Sequence, residues 1–368
     1  MIYSMFDGRL ALLQRVLPSY RKAFFEALAA RSKNGLHLLA GQPRPSEAIH
    51  PAGSLDGIEL TMTRNWHISQ GKSYLCYQNG VTRWLSTSNP DVLIAEANPR
   101  YLSTLPAVRW MHAHARPVIG WGLGAPGSGM PTAFRARFIR QFDALITYSQ
   151  IGAGQYEQLG FPRERIFVAP NATAQRPSRP VAERPRRADG KSTVLFVGRL
   201  QERKKVDNLI LACETLPQSL QPKLVIIGDG PARSDLEALA RSHYPGTHFT
   251  GGVHGDDLAP WFAAADLFVL PGTGGLALQQ AMAYGLPVVA GVGDGTQADL
   301  VRPANGWQLS DDTPANLVKV LGEALSDVEH LRSLGRESYR IVRDEINIER
   351  MVEVFLAAIE QASSHYKG

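Results

Sequence analysis

Apolar positions in this chain fall into short continuous runs broken by glycine, proline and polar residues, and helically spaced segments fill most of the gaps. Short, wholly apolar runs fit strands buried on both faces, while spacings of three and four mark helices packed along one side. The pattern predicts strands over 10–16, 35–40, 58–63, 91–95, 117–121, 144–148 and 166–169 in the first half. Helices are expected over 21–31, with Ser19 as N-cap, and over 66–85, 102–115, 134–141 and 152–159. The second half repeats the theme, with strands over 193–197, 223–227, 248–250, 267–270 and 286–290. Its helices are expected over 209–216, 235–241, 258–265, from Leu276 onward, and over 348–362. Strand and helix in alternation imply an α/β fold with parallel sheets.

The stretch from Leu267 to Leu309 organises the rest. Leu267 to Leu270 is a buried strand, Pro271 to Gly275 break it with Gly272, Gly274 and Gly275, and Leu276, Leu278, Gln279, Met282 and Ala283 carry helical spacing. Gly285 and Pro287 stop that helix before the next apolar run. Glycines alone only permit a tight turn. Between a strand and a helix start they also present unpaired N–H groups and the positive end of a helix dipole, which suits a phosphate.

Composition narrows the class. With 368 residues, 44% hydrophobic and 20% charged, the chain has the make-up of an ordinary soluble protein with room for two cores. No apolar run approaches the roughly 18 residues of a membrane span, and Asp7 and Arg9 interrupt what would be a signal-peptide core. Cys76 and Cys213 lie far apart and define no disulfide framework, which fits a cytoplasmic protein. The net charge of +5 is unevenly spread: residues 1–175 carry 18 Lys and Arg against 10 Asp and Glu, and residues 193–368 carry 15 against 22. A basic first half suggests a polyanionic neighbour; an anionic membrane surface fits Arg15, Arg21, Lys22, Arg31 and Lys33 around the first helix, and nucleic acid is not expected.

Several separately spaced motifs resemble the GT-B glycosyltransferases of family 4, the group 1 enzymes of bacterial surface polysaccharide synthesis. Their segment P-S-x-x-E-G-F-G-L, then E-A-M-A-x-G-x-P-V-V, is matched at Gly275, Leu276, Ala281, Met282, Ala283, Gly285, Pro287, Val288 and Val289. Both glutamates of the pattern are replaced, by Gly272 and Gln280. Gly198-Arg199-Leu200 and Lys204 resemble the family's G-R-L…K-G element, with Lys205 where glycine is usual, and V-L-P-S-Y-R at 16–21 resembles an N-terminal turn of the same group.

The resemblance implies two Rossmann-like domains facing across a cleft, an acceptor domain over 1–175, a Pro/Arg-rich linker over 176–192, a nucleotide-sugar domain over 193–345, and a final helix over 346–368 packing back towards the first domain. It implies that Arg199 and Lys204 neutralise the leaving diphosphate. Gly198, Val253, His254, Gly272, Thr273, Gly274, Gly275, Leu276 and Gln280 are then donor-binding, with UDP-sugar favoured over GDP-sugar. Tyr20, Arg21, Glu96 and Asn98 are the acceptor-side candidates. No Asp-x-Asp cluster is present, so neither metal nor other cofactor is expected. His112 and His114 sit on a helix and carry no catalytic expectation, and the turn Gly228-Asp229-Gly230 lacks the third glycine and the acidic residue of a dinucleotide fold. The expected activity is metal-independent sugar transfer from a nucleotide sugar to a saccharide or lipid-linked acceptor, by a cytoplasmic protein, peripheral on the inner face of the membrane if the acceptor is lipid-linked. The rivals are a binding-only pseudoenzyme and a sugar epimerase of the same architecture.

Overall fold

The computed structural model describes residues 5–44, 47, 49, 51–69, 74–125, 130–178, 181, 184, 190–293, 296–364 and 366. The chain divides into two compact units, Met1–Thr173 with Ile348–Gly368, and Ala174–Asn347.

In the first unit the strands are β1 (Leu10–Val16), β2 (Leu36–Gly41), β3 (Ile58–Thr63), β4 (Asn65–Ile68), β5 (Leu75–Gln78), β6 (Val92–Glu96), β7 (Val118–Gly122), β8 (Ala144–Thr147) and β9 (Ile166–Val168). Its helices are α1 (Lys22–Ala29), α2 (Val81–Ser88), α3 (Thr104–Ala113), α4 (Thr132–Ile139) and α5 (Gln150–Gln158), joined by the chain's C-terminal helix, Ile348–Ser364. A parallel sheet runs β3-β2-β1-β6-β7-β8-β9, and β4 pairs antiparallel with β5. Chain order reverses direction between β1 and β6, the switch point beside which open α/β sheets bind ligands at the strands' carboxyl ends. The C-terminal helix buries Met351, Val352, Phe355 and Ile359 in the unit's core. Phe355 stands edge-on to Phe24 and Trp121, with ring centroids 4.8 and 4.9 Å away.

Two expectations fail here. The helix expected over 66–85 is instead the hairpin β4–β5 followed by α2, which opens after Gly80 at φ 75°. The three-and-seven spacing of Tyr74, Tyr77 and Trp84 imitates a helix, but Trp66, Ile68 and Tyr77 alternate outward along paired strands and stay exposed. Ser19 is not an N-cap. It starts a single 3-10 turn after Pro18, and α1 begins from Arg21 with no side-chain cap.

The second unit holds β10 (Thr193–Val197), β11 (Lys223–Ile227), β12 (His248–Gly251), β13 (Leu267–Leu270), β14 (Val288–Ala290) and β15 (Gly306–Gln308). The helices are α6 (Val206–Thr215), α7 (Arg233–His243), α8 (Ala259–Ala264), α9 (Leu276–Ala283), α10 (Thr296–Leu300), α11 (Pro314–Ser326) and α12 (Val328–Asp344). The sheet is parallel in the order β12-β11-β10-β13-β14-β15, with its switch point between β10 and β13. Within the stretch read as a linker, Arg184 is part of this unit: its guanidinium donates to the carbonyls of Tyr284 and Gly285, at 2.6 and 3.0 Å, just past the end of α9. A cation at that place satisfies carbonyls the helix leaves unpaired.

Candidate functional site

In the second unit, the loop after β10 lies against the turn after β13. A Cβ on Gly272 would stand 2.2 Å from the Arg203 carbonyl oxygen and 2.6 Å from the Lys204 carbonyl carbon, so no larger residue fits there in this conformation. The Thr273 N–H donates to the Arg203 carbonyl at 3.1 Å, and Arg203 Nη1 donates to Thr273 Oγ1 at 2.8 Å. Lys204 reaches over the turn and donates from Nζ to the Thr273 carbonyl at 2.5 Å. Gly274, at φ 137°, lies beneath that ammonium, and a Cβ there would meet Nζ at 2.5 Å. Lys205 adopts φ 53°, the left-handed conformation that glycine takes most readily. α9 then starts from Gly275 without a side-chain cap, leaving its first N–H groups available.

Burial and the neighbouring Arg203 lower the Lys204 ammonium to about 8. A cation made uncomfortable by desolvation gains by taking an anionic partner. The other proposed donor contacts are looser. Arg199 is exposed at the end of the β10 loop and makes no hydrogen bond among the described residues; His254 is exposed, Val253 half-buried, and Gln280 is half-buried on α9, its side chain making no hydrogen bond among the described residues. Its neighbour Gln279 is fully buried and accepts from the Ala174 N–H while donating to the Ile346 carbonyl. Arg203, in a 3-10 turn, and Gln297, which lies on α10 and donates to the Gly274 carbonyl at 2.6 Å, are not marked in the sequence because single polar residues carry no periodic signal. Gly228 and Gly230 pack on backbone: added Cβ atoms would meet the carbonyl oxygens of Gly198 and Leu200 at 1.9 and 2.3 Å. Their role is close approach of two loops.

In the first unit, β1 and β6 end side by side. β1 has a bulge between Gln14 and Val16 against β2, which takes the Arg15 N–H out of the regular ladder, and Glu96 Oε2 accepts it. Glu96 Oε1 makes no hydrogen bond among the described residues. Burial raises the Glu96 carboxyl to about 7, against the opposing pull of the Arg15 N–H and the charges of Arg15 and Arg21. Glu96 and Asn98 line a cavity of about 380 Å³ with Tyr101, Trp121, Arg135, Tyr148 and Tyr156. Asn98 is also a loop former, accepting from the Arg100 N–H at 3.1 Å.

Arg21 is 6% exposed, its guanidinium 4.7 Å from the Trp121 ring centroid and 5.1 Å from that of Tyr148, and Nη2 donates to Tyr148 Oη at 2.8 Å. Arg21 Nη1 and Trp121 Nε1 are buried without a partner among the described residues. Tyr20 is 44% exposed, with Arg21 over its ring at 5.4 Å. The basic surface expected from Arg15, Arg21, Lys22, Arg31 and Lys33 is not formed as one exposed face. The Arg15 side chain is 12% exposed and paired with Glu47, Arg21 is caged by rings, Lys22 pairs with Glu26, and Lys33 pairs with Asp7. Aromatic neighbours and a carboxylate draw the two arginines inward. Trp121, Tyr148 and Tyr156 were absent from the site reading because their sequence surroundings read as strand and helix core.

Residues 180–341 match the family model for glycosyl transferases group 1. Over 103 residues the chain is 40% identical to the sulfoquinovosyl transferase SQD2 of Arabidopsis thaliana, covering 27% of this chain and 19% of that protein. Over 118 residues it is 42% identical to a GDP-mannose-dependent alpha-mannosyltransferase of Mycobacterium tuberculosis, covering 31% of this chain and 29% of that one. The matched stretch thus spans less than a third of either relative. Among solved structures, the lipopolysaccharide outer core galactosyltransferase WaaB superposes with a TM-score of 0.69 at 17% identity, over 96% of this chain and 99% of that one. The Anabaena protein HepE, solved with UDP, gives 0.70 at 16% identity, again over 96% and 99%.

Proposed function

We propose, from the match of residues 180–341 to the family model for group 1 glycosyl transferases and from the likeness of the fold to solved glycosyltransferases, that this protein transfers a sugar from a nucleotide-sugar donor to a saccharide or lipid-linked acceptor, without a metal, in polysaccharide or glycoconjugate synthesis. The observation that carries the reading is Lys204 held over the Gly272–Gly275 turn at the uncapped start of α9. Breaking the bond between a sugar and a nucleoside diphosphate leaves charge on the phosphates, and a fixed ammonium beside free backbone N–H groups neutralises it. Arg203, tied to Thr273, adds a second positive charge at the same turn, and Arg199 is free to add a third. Gln280 offers an amide to a ribose hydroxyl where relatives carry a carboxylate. The HepE structures hold UDP and UDP-glucose, whereas the mycobacterial relative is described as GDP-mannose-dependent. A uridine donor is the first candidate and a guanosine donor the second.

A binding-only role is favoured by one specific observation. Gly272 is hemmed in by the backbone of Arg203 and Lys204, so the position has no room for the donor-contacting carboxylate of the family pattern. Measuring thermal shift and nucleotide release with a panel of UDP- and GDP-sugars separates the two. A shift abolished by Lys204→Ala, together with acceptor-dependent release, supports transfer. Binding without release from any donor supports the second reading, and no shift with any nucleotide sinks both.

A further inference from the structure

We propose that Gln297 is a positioning residue for the donor's diphosphate, holding the peptide between Gly274 and Gly275 so that its N–H, and not its carbonyl, is offered to a phosphate oxygen; this rests on the reading of the chain as a nucleotide-sugar transferase. Gln297 lies on α10 and is 1% exposed, and its Nε2 donates to the Gly274 carbonyl at 2.6 Å. In a planar trans peptide the C=O of one residue and the N–H of the next point in opposite directions. Fixing the Gly274 oxygen on the buried amide therefore aims the Gly275 N–H away from Gln297, and that N–H has no acceptor among the described residues. A peptide between two glycines is the one freest to turn over, since neither side carries a Cβ to oppose the rotation. Turned over, it would set a carbonyl oxygen against the phosphates in place of an N–H.

The surroundings are built to this clamp. A Cβ on Gly293 would stand 2.1 Å from Cδ, Nε2 and Oε1 of Gln297, and one on Gly291 would stand 2.0 Å from the Pro271 carbonyl oxygen, so the chain leaving β14 lies directly against both the amide and the turn. The other half of the amide, Oε1, is buried and accepts nothing among the described residues. A buried acceptor without a donor is unfavourable, and an apolar side chain of the same size would fill the space without that loss. Packing therefore does not account for a glutamine here, whereas the hydrogen bond to Gly274 does. Lys204 takes the Thr273 carbonyl, Gln297 takes the Gly274 carbonyl, and the Gln279 N–H takes the Gly275 carbonyl. What Gly274 and Gly275 have left to offer an anion is their N–H groups. Lys204 brings charge to the turn; Gln297 brings direction without charge.

Gln297→Met keeps the length of the side chain and removes the donor, and Gln297→Glu keeps the shape but sets an acceptor against the Gly274 oxygen. The test titrates the full chain and both variants with UDP and GDP by calorimetry, and with uridine and guanosine by ligand-observed NMR, which reaches weak binding. We expect each variant to lose about tenfold or more in affinity for the nucleoside diphosphate that the wild type binds, while the matching nucleoside stays within about twofold, because only the phosphates meet the Gly275 N–H. A role confined to packing would lower both ligands together or neither. Should the buried carboxylate of Gln297→Glu prevent folding, Gln297→Met decides alone. A Gln297→Met protein that binds the diphosphate as the wild type does, or one in which the nucleoside loses as much, overturns the assignment while leaving the transferase reading intact. A wild type that binds neither UDP nor GDP overturns both.

Discussion

Lys204 and Gly274 form a matched pair, an ammonium above and a side-chain-free residue below, and each leads to an expectation. Because the Lys204 pKa is lowered to about 8 and a diphosphate bound as proposed would raise it again, nucleotide affinity is expected to be greatest below pH 8 and to fall as pH rises through that value. Calorimetric titration with UDP near pH 8, in buffers of different ionisation enthalpy, should show net proton uptake; affinity that is flat from pH 7 to 9.5 would remove Lys204 from the site. Gly274→Ala places a methyl against Nζ on backbone at φ 137°, a conformation that side-chain-bearing residues avoid. Nucleotide binding should drop at least tenfold in equilibrium titrations while the melting temperature changes little, since the half-buried turn lies outside the core.

At the scale of elements, α9 has two jobs. Its half-buried, uncapped start lies at the turn proposed to take the diphosphate, and its buried Gln279 ties together the first and last stretches of the second unit through Ala174 and Ile346. Replacing Gln279 with Ala leaves a buried N–H and carbonyl without their partner, each costing about 1–3 kcal/mol. Chemical denaturation should show that loss, and an unchanged midpoint would mean that water substitutes for the amide. The adjacent Gln280 should tolerate Ala without loss of stability, because its side chain makes no hydrogen bond among the described residues. Neighbouring glutamines on one helix thus divide into one tied into the unit and one whose side chain is left for the proposed donor, and helical phase decides which is which.

At the scale of the molecule, the first unit is discontinuous in sequence, since it includes Ile348–Gly368. Phe355 is fully buried among Phe24 and Trp121, so Phe355→Ala should cost about 3–5 kcal/mol, the range for deleting a buried ring. The Trp121 environment also carries Arg21 and Tyr148, so the loss should register in tryptophan fluorescence during unfolding. Should the variant unfold at the wild-type denaturant concentration, the C-terminal helix would not be a working part of that core. Among the described residues no helix is long and apolar enough to cross a membrane. With Arg15 and Arg21 turned inward, attachment to anionic vesicles through that cluster should be weak, and sedimentation with anionic and neutral liposomes at low salt should differ little.

What the chain determines by itself is the run of buried strands and the glycine turn between β13 and α9, because all-apolar runs and backbone-dependent glycines are local signals. Lys204 and Arg199 could be named only through the resemblance of their stretch to a family element, whereas Glu96 and Asn98 could be named from their place after an apolar strand. Helical spacing misled over residues 66–85, where the pairing of β4 with β5 overrode three aromatic positions. Only the tertiary structure decided that Lys204 reaches Thr273, that Arg203 and Gln297 join it, and that Arg15 and Arg21 leave the surface to meet Glu47 and Tyr148. Those contacts join residues dozens to more than a hundred positions apart. A charged side chain looks the same in sequence whether water or a partner surrounds it, and the free energy of desolvation that separates the two cases exists only once the sheets have formed.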